Sequence, residues 1–336
     1  MSRSVAKRRL RVGVARLRSL IVGLLALVSA AAASACTTGE DRPRIVVTTN
    51  ILGDITREIA GAEADVTVLM KPGADPHSFG LSAVQAAELE RADLVVHNGL
   101  GLEENVLRHV DAARESGVAT FAAGEAADPL TFRTAADDGG TTSGTGPEEA
   151  EGQPDPHFWT DPDRVRKVAG LIADQVIKHV DGVDASAIRA HADRYDEELT
   201  VLTGWMEKSF ARVPEDQRAL VTNHHVFGYL ADRFGFEVIG AVIPSGTTLA
   251  SPSSSDLRSL TEAMAEAGVR TVFADSSRPT RLAEVLRAEL GGRVRVVELH
   301  SESLTAQGEG ADTYLRMMRA NTTAMTDGLT AATNAD

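Results

Sequence analysis

Short apolar strands that alternate with amphipathic helices constrain this chain more than any other feature. Arg44–Thr49 (RIVVTT), Asp65–Met70, Asp93–Gly99 and Val118–Ala122 read as strands. Between them, residues 50–61, 82–92 and 103–116 carry helical periodicity. The pattern then recurs. Strands are expected at Ala219–Asn223, Glu237–Ile243, Val269–Ala274 and Val294–Leu299, and helices at 227–234, 254–267, 279–290 and 312–331. Strands that are apolar throughout, separated by helices, build parallel sheets covered on both faces. Two such runs imply two α/β units.

A long helical stretch separates the runs. Residues 161–180 form one helix, opened by Asp161-Pro162. Residues 184–213 form another, interrupted only by Gly204. Thirty residues of helix span about 45 Å, the length of a two-lobed molecule. The expected division is 44–183 for an N-terminal lobe, 184–213 for a linking helix and 214–336 for a C-terminal lobe. Residues 133–156 break the pattern with Gly, Thr and acids and read as a mobile acidic loop.

The first residues read as an address rather than a fold. Seven basic residues and no acid occupy positions 1–18, an apolar run covers Leu20 to Val28, and small residues lead to Ala35-Cys36. Basic, apolar and small-residue regions in that order mark a secretory signal peptide over 1–35. Cys36, the sole cysteine, follows the small residues as in a bacterial lipobox, although Ala33 stands where Leu is usual. Lipid on Cys36, with residues 36–43 as a tether, would hold a soluble domain at the outer face of the cytoplasmic membrane.

Composition narrows the chemistry. Asp and Glu number 48 against 34 Lys and Arg, a net charge of −14. An acidic chain is a poor match for nucleic acid. A single cysteine excludes an intramolecular disulfide framework and a cysteine-rich metal site. Any bound metal must be held by nitrogen and oxygen.

Four residues stand near strand ends or a loop end: His77, His157, His224 and Asp275. In open α/β sheets ligands bind beyond the carboxyl ends of strands. Two residues from each half could therefore converge. Three imidazoles and a carboxylate suit a first-row divalent cation, Zn²⁺ best. Each also has a plainer reading: a turn residue at His77, packing before a helix at His157, a core histidine at His224, a helix cap at Asp275. His97 and His300 also end strands and could line a cleft, while His109, His179 and His191 lie on helices.

The sequence resembles the metal-ion (zinc/manganese) solute-binding lipoproteins of bacterial ABC importers, the cluster A family, over residues 44–332. The residues that carry the resemblance are Pro76-His77-Ser78, Asn98-Gly99-Leu100-Gly101-Leu102-Glu103, and Asp155 through Pro162. His224 through Tyr229 and Val272-Phe273-Ala274-Asp275 complete the set. The resemblance implies two lobes, each a parallel sheet flanked by helices, joined by one long rigid helix, with metal between them. It places the metal ligands on His77, His157, His224 and Asp275, and prefers His224 over the adjacent His225. It implies Zn²⁺ as cargo, with Mn²⁺ or iron the alternative, since manganese binders of the family tend to have a carboxylate at the third ligand position. It also implies an ABC permease and its cytoplasmic ATPase as partners, a metallochaperone as a further candidate, and a monomer. The acidic loop, with Asp137, Asp138, Glu148, Glu149 and Glu151, contains no histidine and so lacks the zinc-gathering loop of many relatives. A zinc hydrolase is the rival class. Such an enzyme keeps an open metal position for water and a nearby general base. The chain has no HExxH motif, and no enzyme is expected.

Overall fold

Ile45, Val46 and Val47 form an apolar run with no polar alternation, the pattern of a strand covered on both faces. In the computed structural model these three residues are buried in β1 (Arg44–Val47). The structure describes residues 42–132, 152–277, 287–288, 292 and 294–331. β1 pairs in parallel with β2 (Asp65–Val68) and β3 (Leu94–His97), and β3 with β4 (Ala119–Ala122), in the order β2-β1-β3-β4. A second parallel sheet repeats this order. β5 (Ala219–Thr222) lies between β6 (Glu237–Ala241) and β7 (Thr271–Asp275), and β8 (Arg295–Leu299) completes it as β6-β5-β7-β8. In each sheet the chain leaves its first strand to one side and returns to the other. Both sheets thus have a topological switch point, where a crevice opens at the strand ends.

The helices begin where local chemistry dictates. Thr49 caps α1 (Asn50–Ala60), and Ser82 with Gln85 forms a capping box on α2 (Ala83–Leu89). α3 is Leu107–Glu115. Asp161 caps α4 (Pro162–His179), with Pro162 in the first turn where its missing N–H costs nothing. Asp184 accepts from Ser186 N and Ala187 N to start α5 (Ala185–Phe210). α6 (Gly228–Phe234) ends at Gly235, whose φ of 68° suits a glycine C-cap. Ser253 and Asp256 form a second capping box on α7 (Ser254–Glu266), and Thr313 caps α8 (Tyr314–Thr330).

α5 has 26 residues, about 39 Å of helix. Its buried stripe is Ile188, Tyr195, Leu199, Leu202, Met206 and Phe210, at helical spacing. This stripe belongs to one apolar cluster that also takes in Ile45 and Val47 of the first sheet and Leu220 and Phe273 of the second. The helix is therefore part of a core that both lobes share. Smaller clusters lie elsewhere on each sheet, with Val46, Leu89 and Val95 in one and Val221, Leu260 and Val272 in the other. From Pro43 onward the chain forms one compact unit.

All eight expected strands are present, most of them shorter at one or both ends than the apolar runs suggest. Of the terminal residues of those runs, Thr48 and Met70 bond across the strand ends, and Thr49 caps the helix that follows. Most of the helix expected at 279–290 lies outside the described residues, as do residues 1–41 with Cys36, and 133–151 of the acidic loop. No helix among the described residues is long and apolar enough to cross a membrane.

Candidate metal centre

The tripeptide Asp-Pro-His occurs twice, and each copy folds the same way. Asp75 Oδ1 accepts His77 N at 2.9 Å, and Asp155 Oδ1 accepts His157 N at 2.9 Å. An aspartate that accepts from the backbone two residues on makes a tight local turn. The first turn follows β2. There Asp75 Oδ2 also accepts from Ser78 Oγ at 3.1 Å and from Thr248 Oγ1 of the other lobe at 2.7 Å. The second turn runs into the short 3₁₀ helix Phe158–Thr160. Asn98 Nδ2 donates to Pro156 O at 3.0 Å, and Tyr229 OH donates to Asp155 O at 2.6 Å, so both lobes grip this turn. His224 lies just beyond β5, where Thr222 Oγ1 donates to its carbonyl at 2.6 Å.

These three histidines converge, and all are buried. His157 Nε2 and His77 Nε2 are 3.4 Å apart. The fourth group is the carboxylate of Glu302, just beyond β8. His224 Nε2 lies 3.2 Å from Glu302 Oε1, His157 Nε2 3.6 Å from Oε1, and His77 Nε2 3.6 Å from Oε2. One donor atom from each of the four residues fits within 4.8 Å of the others. Both Glu302 oxygens are buried and accept no hydrogen bond among the described residues. Buried carboxylate oxygens without a donor are costly.

Asp275, expected as the fourth metal residue, is not in this group. The correction has a clear physical reason. Its Oδ1 accepts from Ser277 N at 2.8 Å and from Ser277 Oγ. Its Oδ2 accepts from Ser301 N at 3.1 Å, from Ser301 Oγ, and from Glu302 N at 3.2 Å. Its lone pairs are spent on the two turns that follow β7 and β8. Glu302 was not singled out from sequence. The signal available was the strand-end rule itself, since Glu302 lies just beyond β8 as His224 lies just beyond β5.

Burial sets the charge state. It pushes the His77 imidazole down to about 4 and His157 down to about 3, with the neighbouring imidazoles adding to the shift. It pushes Glu302 up to about 7. His77 and His157 are thus neutral at neutral pH, and their contacts with Glu302 are not ion pairs. Asp155 Oδ1 lies 2.7 Å from His157 Nδ1. A proton held on Nδ1 leaves the Nε2 lone pair facing the cluster, the usual arrangement of a carboxylate behind a metal-binding imidazole. Burial lifts Asp155 itself to about 7. Desolvated imidazoles and a carboxylate short of donors suit a cation brought among them.

The other candidates have different places. His225 is outside the cluster; its N–H donates to Ser245 O at 3.1 Å, and burial pushes its imidazole down to about 4. His97 and His300 are also outside, and His300 Nδ1 lies 2.9 Å from Ser276 Oγ. Glu103 holds a turn: Thr48 Oγ1 donates to it at 2.6 Å, Asn98 N at 2.7 Å and Gly99 N at 3.1 Å. Trp159 sets its ring edgewise to His157, centroids 5.3 Å apart, and its Nε1 donates to Ser301 O at 2.9 Å. It thereby links the His157 turn to the segment that carries Glu302.

The family model described as zinc-uptake complex component A, periplasmic (ZnuA) matches residues 45–328. The chain belongs to this family. Its members are metal-binding, substrate-binding proteins of ABC importers, and they are transport proteins rather than enzymes. The manganese-binding lipoprotein MntA of Bacillus subtilis is 28% identical over 322 residues, covering 93% of this chain and 97% of that protein. The zinc-binding protein TroA of Treponema pallidum is 28% identical over 306 residues, covering 90% and 94%. A solved structure of periplasmic TroA from the same organism superposes with a TM-score of 0.75 at 26% identity, covering 86% of this chain and 99% of that one. The two-lobed family fold is thus the fold observed here, while similar relatives are named for two different metals.

Proposed function

We propose that this protein captures Zn²⁺ between its lobes on His77, His157, His224 and Glu302 and delivers it to an ABC permease driven by a cytoplasmic ATPase. What supports this reading is the convergence of three buried imidazoles on a buried carboxylate that accepts no hydrogen bond among the described residues. Three nitrogens and one carboxylate oxygen match four-coordinate zinc. Nitrogen-rich sites also prefer zinc over manganese by the general order of divalent affinities. With no fourth position left for water, the centre stores a cation rather than activating a nucleophile. Lipid on Cys36 would anchor the protein outside the cytoplasmic membrane, with the lobes at 44–183 and 214–336 and the helix of 184–213 between them. The working unit is a monomer.

A second reading, manganese, has one observation in its favour. Glu302 turns one oxygen towards His224 and His157 and the other towards His77. Bidentate binding would raise the donor count, which suits a harder ion. MntA relatives carry a manganese name. Direct competition between Zn²⁺ and Mn²⁺ for the metal-stripped protein separates the readings. Preferential manganese binding would overturn the zinc assignment.

A further inference from the structure

Phe132 reaches from the first lobe across to the second, beside the metal centre. Its ring centroid lies 6.3 Å from that of His157 and 6.4 Å from that of His225, both edgewise or tilted. Phe132 is half-buried, while His157 behind it is fully buried. The backbone holds Phe132 in place: Phe132 N donates to Gln153 O at 3.0 Å, and Thr131 bridges Pro154. The ring thus stands beside the isolated antiparallel bridge that leads into the Asp155-Pro156-His157 turn.

The opposite wall is the segment 245–248. It is pinned at one end by His225 N donating to Ser245 O and at the other by Thr248 Oγ1 donating to Asp75 Oδ2. Gly246 lies between. Its φ is not in the left-handed region, so the backbone does not demand glycine there. The Phe132 ring does. A Cβ on Gly246 would stand 2.3 Å from the ring Cζ and 2.5 Å from Cε2. Gly246 is the seat into which the ring tip fits.

We propose that the Phe132 ring, seated on Gly246, is the plug that sets the rate at which a metal enters and leaves the centre. The inference rests on the metal-site reading above and adds the residue pair that controls exchange. A seated ring closes the space beside His157 to water and to a hydrated cation. Displacing it leaves the four donors in place but opens the path. Entry and exit must then quicken together, because a plug raises the barrier in both directions without changing its end states.

The test uses zinc-loaded protein mixed in a stopped-flow instrument with excess chromogenic chelator, and metal-free protein mixed with Zn²⁺. Phe132→Ala should raise both release and capture about tenfold, equivalent to about 1.4 kcal/mol off the barrier, and leave Kd within about threefold. Gly246→Ala keeps the ring but fills its seat, and should shift both rates the same way. The double variant should match Phe132→Ala, since the pair acts as one unit. Release from Phe132→Ala within about twofold of wild type would overturn the plug. So would faster release with unchanged capture, which marks a ring that only packs on the bound state, or additive effects in the double variant. A wild type that takes up no zinc would overturn the metal reading as well, and is told apart by that.

Discussion

Asp275 Oδ2 accepts the backbone N–H of Glu302 at 3.2 Å, so one carboxylate at a strand end positions another. Asp275 turns inward to the backbone, and Glu302 faces three imidazoles. The two acids should therefore fail differently when removed. Glu302→Ala should weaken Zn²⁺ binding about 100-fold or more by deleting a donor. Asp275→Asn should weaken it by about 10- to 100-fold through misplacement, and should also lower the melting temperature of the metal-free protein. Chelator competition and thermal melts on both variants check this. A larger binding loss from Asp275→Asn than from Glu302→Ala would reverse the two roles.

The stability of the metal-free protein should depend on Glu302 in a defined direction. Burial raises its pKa from 4.5 to about 7. A raised carboxylate contributes most below its unfolded pKa, and that contribution is lost as pH rises through the folded value. Between pH 4.5 and 8 the wild type should lose about 3 kcal/mol relative to Glu302→Gln, which cannot ionise. Denaturant titrations of both proteins at several pH values measure the difference. A gap that stays constant with pH would show that Glu302 titrates normally.

Metal affinity should also fall in acid, but not because His77 and His157 take up protons. His77 and His157 are held near 4 and 3 by burial, so both stay neutral down to about pH 5. Glu302 gains its proton near pH 7 and competes with the metal from there downward. The ring proton shifts of His77 and His157 in the metal-free protein should stay flat from pH 8 to 5.5 while zinc affinity drops over the same range. Titration of either of these two rings near 6.5 would contradict the burial argument.

The adjacent histidines give a sharp contrast. His224→Ala should cost zinc affinity about 100-fold or more, as the loss of one of four donors. His225→Ala should change it by less than about tenfold, because His225 lies outside the cluster. Equal losses would mean that both imidazoles reach the metal.

Much of the fold was legible because its signals are local. Apolar runs such as Ile45-Val46-Val47 and caps such as Asp161-Pro162 act within a few residues. The convergence of His77, His157 and His224 was legible because strand ends and the loops beside them meet at the crevice of open sheets. The fourth group was not. Asp275 ends β7 and Glu302 lies just beyond the neighbouring β8, and the strand-end rule admits either. Which one faces the cleft depends on the β7–β8 register, where Asp275 pairs with Leu299, and on the turn that places Ser301 and Glu302 N–H groups over Asp275. That is long-range geometry, without a local pattern. The matched Asp-Pro-His turns were in plain view in the sequence, but their shared function as backbone clamps appears only with the Asp75 and Asp155 hydrogen bonds.

The most direct test is a titration of the metal-stripped protein with Zn²⁺ and Mn²⁺ in competition with a chromogenic chelator. The expected result is tight one-to-one zinc binding, far weaker manganese binding, and loss of zinc binding in His224→Ala and Glu302→Ala. Tighter binding of manganese than zinc, or zinc binding that survives Glu302→Ala unchanged, would contradict a zinc centre built from three histidines and Glu302.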